Sequence, residues 1–219
     1  ESCSSGGSMK DLYTATNAVV INCDDTADYM SLHTSFYDSS YCIHPAQLQL
    51  PLSTLSYTKG SPYYTGTGDY LYGLRCGMTG AFHTGKWGGT FSDEELSYWA
   101  HNIKGVYNKK LKPLIREGDL YHILPRPDGE NWDGLEYVDA DTDREIKGVV
   151  MLWKPTNKEG ETKTVKLRGL MADVSYQLTF EDRPEQNRVM TGAELMETGL
   201  TVTISGDVGS EIVWLSEAK

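Results

Sequence analysis

The 219-residue chain has no long apolar run, no closely spaced cysteine pair and no excess of basic residues. Each absence removes a class of protein. Without about 18 consecutive apolar residues there is no transmembrane run, and no signal peptide is visible. No membrane partner is expected. The four cysteines, Cys3, Cys23, Cys42 and Cys76, contain no CxxC spacing, so no metal site is expected. Buried free thiols are the default reading, and a disulfide stays open. Lys and Arg total 20 against 31 Asp and Glu, giving a net charge of −11. The resulting pI near 4.9 argues against nucleic-acid backbones and anionic lipid as partners. There is no Ser-His-Asp order, no phosphate-binding loop, no internal repeat and no low-complexity segment. What remains is 39% hydrophobic residues at a mean hydropathy of −0.45, a composition that suits a soluble globular protein of one or two domains. Fourteen Tyr and five Trp supply flat amphipathic rings that suit sugar faces and wet interfaces, although most belong in a core.

The chain changes texture near residue 118. Before it, helical and strand signals alternate. Ala18–Cys23 reads as a strand whose unbroken apolar run suits a parallel sheet covered on both faces. Thr26–Tyr37 reads as a helix. Ser40–Leu50 is expected to contain the next strand, with His44 and Pro45 at its exit. Leu48, Leu50 and Leu52 then alternate with polar residues. Ser53–Asp69 is a long Gly-, Ser- and Tyr-rich connection of the kind that is functional or disordered. Tyr70–Arg75 is expected to be helical and Gly77–His83 a strand, followed by a loop around Lys86 and Trp87. Ser92 and Glu95 then form a capping box. The helix they open has the stripe Leu96, Trp99, Ile103, Val106, Leu111, and Pro113 should kink it or start a new turn.

After Asp119 come short strands separated by turns: Leu120–Ile123, Leu135–Val138, Gly148–Trp153, Lys163–Leu167, Ser175–Phe180, Thr201–Ile204 and Glu211–Leu215. Gly192–Gly199 is a short helical or looped segment. This spacing predicts an antiparallel β-sandwich over 119–219.

The candidate site lies in the first twenty-eight residues. A polar Cys3-Ser4-Ser5-Gly6-Gly7 turn precedes the apolar run Ala18–Ile21, which ends in Asn22-Cys23-Asp24-Asp25. An apolar strand ending in Asp is how a parallel α/β barrel presents a carboxylate at its C-terminal face. Paired glycines let backbone approach a ligand closely. Taken alone, Asp25 is equally a helix N-cap, Cys3 a buried thiol, and Asn22 a residue that satisfies a loop backbone. His44 and His83 read as packed or loop-bonding residues.

These residues resemble glycoside hydrolase family 36, the retaining α-galactosidases. Cys3 to Gly7 with Asp11 fits that family's Cys-Ser-Ser-Gly-Gly motif. Asp25 and Asp28 fit the Asp-x-x-Asp spacing of its acid/base cluster. An ungapped count from Cys3 lands on Asp25; matching the first of the two adjacent aspartates picks Asp24. Further on, Gly118-Asp119-Leu120-Tyr121, Leu167-Arg168-Gly169-Leu170 and Thr191-Gly192-Ala193-Glu194-Leu195-Met196 follow the family's order. Two positions depart from it: Met9 or Lys10 stands for an Arg, and Asn22 for a Trp.

The resemblance implies that residues 1–118 are the C-terminal strands of a (β/α)8 barrel, with the sandwich over 119–219. It implies an α-glycosidase acting on terminal α-linked galactose or a related sugar. Asp25 would be the acid/base, with Asp24 as the other candidate, and Cys3, Gly6 and Asn22 would contact substrate. The nucleophile Asp belongs to an earlier strand. The chain opens with Glu inside a motif and is expected to be a fragment, inactive alone. No cofactor is implied. The expected partners are a glycoside, the N-terminal part of the same enzyme and a second copy in a homo-oligomer. The alternative is a non-catalytic carbohydrate-binding or structural piece, a half-barrel plus sandwich without turnover.

Overall fold

Apolar residues fall in two patterns, and two kinds of sheet result. The computed structural model describes residues 2, 10–24, 29–53, 70–85, 93, 96, 97 and 100–218. The chain divides into two compact units, Glu1–Arg116 and Glu117–Lys219.

In the first unit, strands β1 (Ile21–Asn22), β2 (Leu48–Ser53) and β3 (Ala81–Gly85) form a parallel sheet in the order β1-β2-β3. Helix α1 (Leu12–Asn17) precedes β1 and is capped by the Asp11 carboxylate, which accepts from the Thr14 amide. Helix α2 (Tyr29–Ser39) separates β1 from β2, and α3 (Tyr70–Gly77) separates β2 from β3. Successive strand residues face opposite sides. Ile21, Leu48 and Leu50 are fully buried, as are Leu32 and Phe36 of α2. A Cβ on Gly80 would sit 2.7 Å from the Leu48 carbonyl and 3.0 Å from the Phe36 ring. The turn into β3 therefore has room only for glycine.

The next helix, α4 (Ala100–Leu111), is wound as a π-helix, and α5 (Lys112–Glu117) continues it. Pro113 sits in the first turn of α5. Lacking an amide donor, it starts the new winding rather than extending the old. Tyr107 fastens α4 to β3: its hydroxyl donates to the Gly80 carbonyl at 2.8 Å and accepts from the Phe82 amide at 2.9 Å. Val106 and Leu111 are buried, but Leu96, first in the predicted stripe, is 51% exposed.

Three expectations shift here. Residues 40–47 are not strand: they are the turn after α2 and a 3-10 turn, Pro45–Gln47. The strand comes later, at the Leu48-Leu50 alternation. It follows that His44 stands before β2, at its entry rather than its exit. The third strand likewise starts at Ala81 rather than Gly77, because α3 runs on to Gly77. The 54–69 connection, the loop around Lys86 and Trp87, and Ser92, Glu95 and Trp99 lie outside the described residues.

The second unit is antiparallel. A six-stranded sheet has the order β4-β5-β6-β11-β8-β9, with β4 Asp119–His122, β5 Asp133–Val138, β6 Ile146–Lys154, β8 Ser175–Phe180, β9 Arg188–Thr191 and β11 Gly209–Glu217. A two-stranded sheet joins β7 (Thr162–Val165) to β10 (Leu200–Thr203). Both contribute to one apolar core: Val150, Leu152, Leu178, Phe180, Val213 and Leu215 from the larger sheet, Val165, Leu200 and Val202 from the smaller. Strand β9 is not legible as such in the sequence. It is four residues long with little apolar content, and pairing with β8 defines it.

The sequence motifs of this unit meet in space. Gly169 has φ +68°, and a Cβ there would lie 2.7 Å from the Tyr121 hydroxyl oxygen. Gly192 opens α6 (Gly192–Glu197), and a Cβ there would lie 2.0 Å from the Met171 carbonyl. The Leu167 amide donates to the Leu195 carbonyl at 3.0 Å. Thr191 and Glu194 form a reciprocal capping box on α6. Glu136 of β5, fully buried, accepts from the Arg168 amide at 2.9 Å through Oε2. Each glycine is thus required where one motif's backbone touches another.

The outer edge of β10 is closed by side chains rather than by a strand. The Thr203 amide donates to the Gln186 Oε1 at 3.0 Å, and Gln186 Nε2 donates to the Thr203 carbonyl at 2.8 Å. The Gln186 amide thus stands in for a neighbouring peptide. Arg188 donates to the Thr201 carbonyl and stacks over the Phe180 ring at 5.3 Å. Edges with unpaired backbone invite association, and this one is blunted.

Candidate active site

The candidate site is built on the exit of β1 and on the sheet residues that pair beside it. Ser2 lies beside β1: its amide donates to the Val20 carbonyl and its carbonyl accepts from the Asn22 amide, both at 2.9 Å. The chain therefore enters the Cys3–Gly7 stretch from a parallel position against β1. Cys3, Gly6, Asp25 and Asp28 themselves lie outside the described residues.

Asn22 ends β1 and is 2% exposed. It pairs in register with Gln49 of β2. Cys23 follows, its amide bonded to the Gln49 carbonyl at 2.8 Å. Lys10 reaches across and donates to the Cys23 carbonyl at 2.6 Å. This places one cation at the strand exit, immediately before the acidic pair. Burial pushes the Cys23 thiol up to about 12; the neighbouring Asp24 adds to the shift and Lys10 opposes it. The thiol is therefore protonated at neutral pH and is no nucleophile. Asp24 is half-buried and accepts from the Ser35 hydroxyl of α2 at 3.4 Å.

His83 lies within β3, where its Nδ1 meets Gln49 Nε2 at 2.9 Å. His44 is remote from this pair in the ladder; its Nδ1 accepts from the Ala46 amide at 3.2 Å and caps the 3-10 turn. A third histidine, His33, is buried against Cys76, with Nδ1 to Sγ 3.4 Å, and burial lowers its pKa to about 3. It is a neutral core residue. The described cysteines, Cys23, Cys42 and Cys76, are thiols and form no disulfide with one another. Among the described residues no cluster of His, Cys, Asp or Glu could hold a metal ion.

Sequence reasoning singled out Asn22 and Asp24, named Lys10 only as a residue standing for an Arg, and overlooked Gln49 and Ser35. Gln49 had a usable signal. It is the polar member of Leu48-Gln49-Leu50, and alternation sends it to the side opposite the buried leucines. Ser35 had none, and neither did the contact Lys10 makes, since both depend on tertiary approach across 11 and 13 residues.

Comparison with known proteins gives this arrangement a context. Residues 132–215 match the model of the glycosyl hydrolase family 36 C-terminal domain. Alpha-galactosidase C of Emericella nidulans is 30% identical over 107 residues, covering 49% of this chain and 13% of that protein. Alpha-galactosidase 2 of Hypocrea jecorina is 25% identical over 109 residues, 50% of this chain and again 13% of that protein. The solved family 36 α-galactosidase AgaB of Geobacillus stearothermophilus superposes with a TM-score of 0.71 at 19% identity, covering 90% of this chain and 25% of its own. The α-galactosidase of Lactobacillus brevis gives 0.70 at 16% identity, covering 90% and 26%. This chain thus spans about a quarter of those solved chains. Residues 132–215 carry a glycosyl hydrolase family 36 C-terminal domain, and the chain as a whole is similar to the C-terminal part of an α-galactosidase-like protein of that family.

Proposed function

We propose that this chain supplies the acid/base half of a retaining α-glycosidase acting on terminal α-linked galactose or a related sugar. Its three parallel strands are the last strands of a (β/α)8 barrel. The nucleophilic Asp comes from a strand outside the chain. Asp25 protonates the leaving oxygen and then activates water, across a carboxyl separation of about 5–5.5 Å. Cys3, Gly6 and Asn22 contact the sugar. The observation that carries this reading is the course of β1: flanked by Ser2, it runs directly into the Asp24-Asp25 pair in a chain with a family 36 C-terminal domain. The bond from Ser35 supports Asp25 over Asp24, since it engages Asp24 with α2. Asp24 then acts as the neighbouring charge that keeps a general acid protonated through like-charge repulsion. That a related α-galactosidase of G. stearothermophilus was solved with raffinose supports an oligosaccharide substrate.

The test is Asp25→Asn in the complete enzyme. Substrates with poor leaving groups need protonation of the departing oxygen and should lose about 10²–10⁴-fold in rate. Activated aryl glycosides should lose far less in their first step. Equal losses on both substrate types, or a selective loss from Asp24→Asn instead, contradict the assignment.

A further inference from the structure

The face of the parallel sheet opposite α2 and α3 carries a polar row that packing does not require. Register pairs Asn22 with Gln49, Gln49 with Ala81 and Pro51 with His83. Paired residues, and residues two apart on one strand, project to the same side. Asn22, Gln49 and His83 therefore share a face, while Ile21, Leu48 and Leu50 fill the other. Buried parallel strands ordinarily read as apolar runs on both faces. Here three adjacent strands each contribute an amide or an imidazole.

Two features set Gln49 and His83 apart from solvated side chains. Gln49 Oε1 is buried and has no hydrogen-bond partner among the described residues, a condition that ordinarily destabilises a fold. Its Nε2, which can only donate, points at His83 Nδ1 from 2.9 Å. The imidazole must accept there, so its own proton is on Nε2. The ring is exposed on β3, leaving that N–H available to a ligand.

We propose that His83, fixed in this tautomer by Gln49, is a further substrate-contacting residue of the site, donating Nε2–H to a hydroxyl of the bound glycoside. The inference rests on the glycosidase reading above. His83 serves as a binding residue and Gln49 as the positioning residue behind it. An N–H donor suits the hydroxyl oxygens of a polyol ligand.

Two measurements test it. In the complete enzyme, where the parallel sheet has its neighbours, ¹⁵N NMR of the His83 ring should show the Nε2–H tautomer, and Gln49→Leu should shift it to a mixture. In the complete enzyme, His83→Ala should raise KM for an aryl α-galactoside about tenfold, with the smaller share of the loss in kcat. His83→Gln keeps an N–H donor and should recover part of the loss. An Nδ1–H ring in the unaltered complete enzyme, or a KM unmoved by a folded His83→Ala enzyme, overturns the proposal. Asp25→Asn run beside them reads the enclosing hypothesis separately. Leaving-group selectivity decides the acid/base assignment, and KM decides His83.

Discussion

The two units close their sheets by different means. In Glu117–Lys219 everything needed for closure is in the local sequence. Two antiparallel sheets share one core, β10's outer edge is sealed by the Gln186 amide, and buried Glu211 is met by Arg183 at 2.8 Å and by the Asp182 and Ile212 amides at 3.1 and 2.9 Å. Among the described residues of Glu1–Arg116 the sheet is three strands wide, β1 is flanked by the bridge at Ser2, and β3 is an edge strand. Antiparallel pairing closes locally through short turns, whereas a parallel layer closes only when further strand–helix units are added. The second unit should therefore stand alone, and the first should behave as a sector of something larger.

The largest expected effect is on activity. The chain by itself should not hydrolyse an aryl α-galactoside, because only one carboxylate of the catalytic pair is proposed to reside in it. Steady turnover by the purified chain would remove the need for a nucleophile from outside.

Within the second unit the motif glycines should dominate stability. Gly192→Ala drives a Cβ against the Met171 backbone carbonyl, where no side-chain rotation gives relief. A loss of about 2–4 kcal/mol is expected, read as a lower denaturant midpoint at unchanged m. Gly169→Ala meets both a positive φ and the Tyr121 ring and should lose about 1–3 kcal/mol. Gly160 has φ +84° but open space around it, so Gly160→Ala should cost only about 1 kcal/mol. If Gly169→Ala costs no more than Gly160→Ala, φ alone explains it; a Gly192→Ala chain of unchanged stability would show that the contact at Met171 contributes nothing.

Glu136 gives the second unit a pH signature. Burial lifts its carboxyl from an ordinary 4.5 to about 8, partly offset by the Arg168 amide and guanidinium. The folded state holds the proton more tightly than the unfolded one. Its contribution is therefore complete below about pH 4.5, declines as pH rises, and is gone above about 8. Glu136→Gln keeps an acceptor for the Arg168 amide and should flatten that slope, with Tm above wild type at pH 8. Burial also raises the Asp133 pKa, though its side chain is unchanged in the variant. The difference between the two curves therefore isolates Glu136. A wild-type slope surviving in Glu136→Gln would contradict this.

The smallest effect belongs to the sealed edge. Gln186→Ala removes two hydrogen bonds to Thr203 and should cost about 1–2 kcal/mol, with faster amide exchange at Thr203 than at Val202. Unchanged exchange at Thr203 would show that something else protects β10.

Much of the second unit is legible in sequence because its signals are local. Alternation and turn glycines locate β8 at Ser175–Phe180 and put β6 and β11 within a few residues of their observed bounds. Strand β9 is not legible, since pairing with β8 rather than its own pattern defines it. In the first unit the helix signals hold for α2 and α3, but the strands are shorter and later than apolar runs suggest. Ala18–Cys23 reads as strand, yet only Ile21–Asn22 is ladder, because the exit from α1 takes up the start of the run. At the candidate site, residue type and order point to the acidic pair. The Gln49–His83 bond needs β2 and β3 brought side by side, and the Lys10 reach needs the chain to fold back to the exit of β1; no spacing in the sequence encodes either.

The account rests most directly on the contrast between the units, and native-state hydrogen exchange on the isolated chain measures it. Slow exchange across Gly148–Trp153, close to the global unfolding limit, beside fast exchange in Ala18–Cys23 and Gly77–His83, is the predicted pattern. Equal protection of both regions in a proven monomer would make the first unit a self-sufficient fold and contradict its reading as part of a barrel completed by other polypeptide.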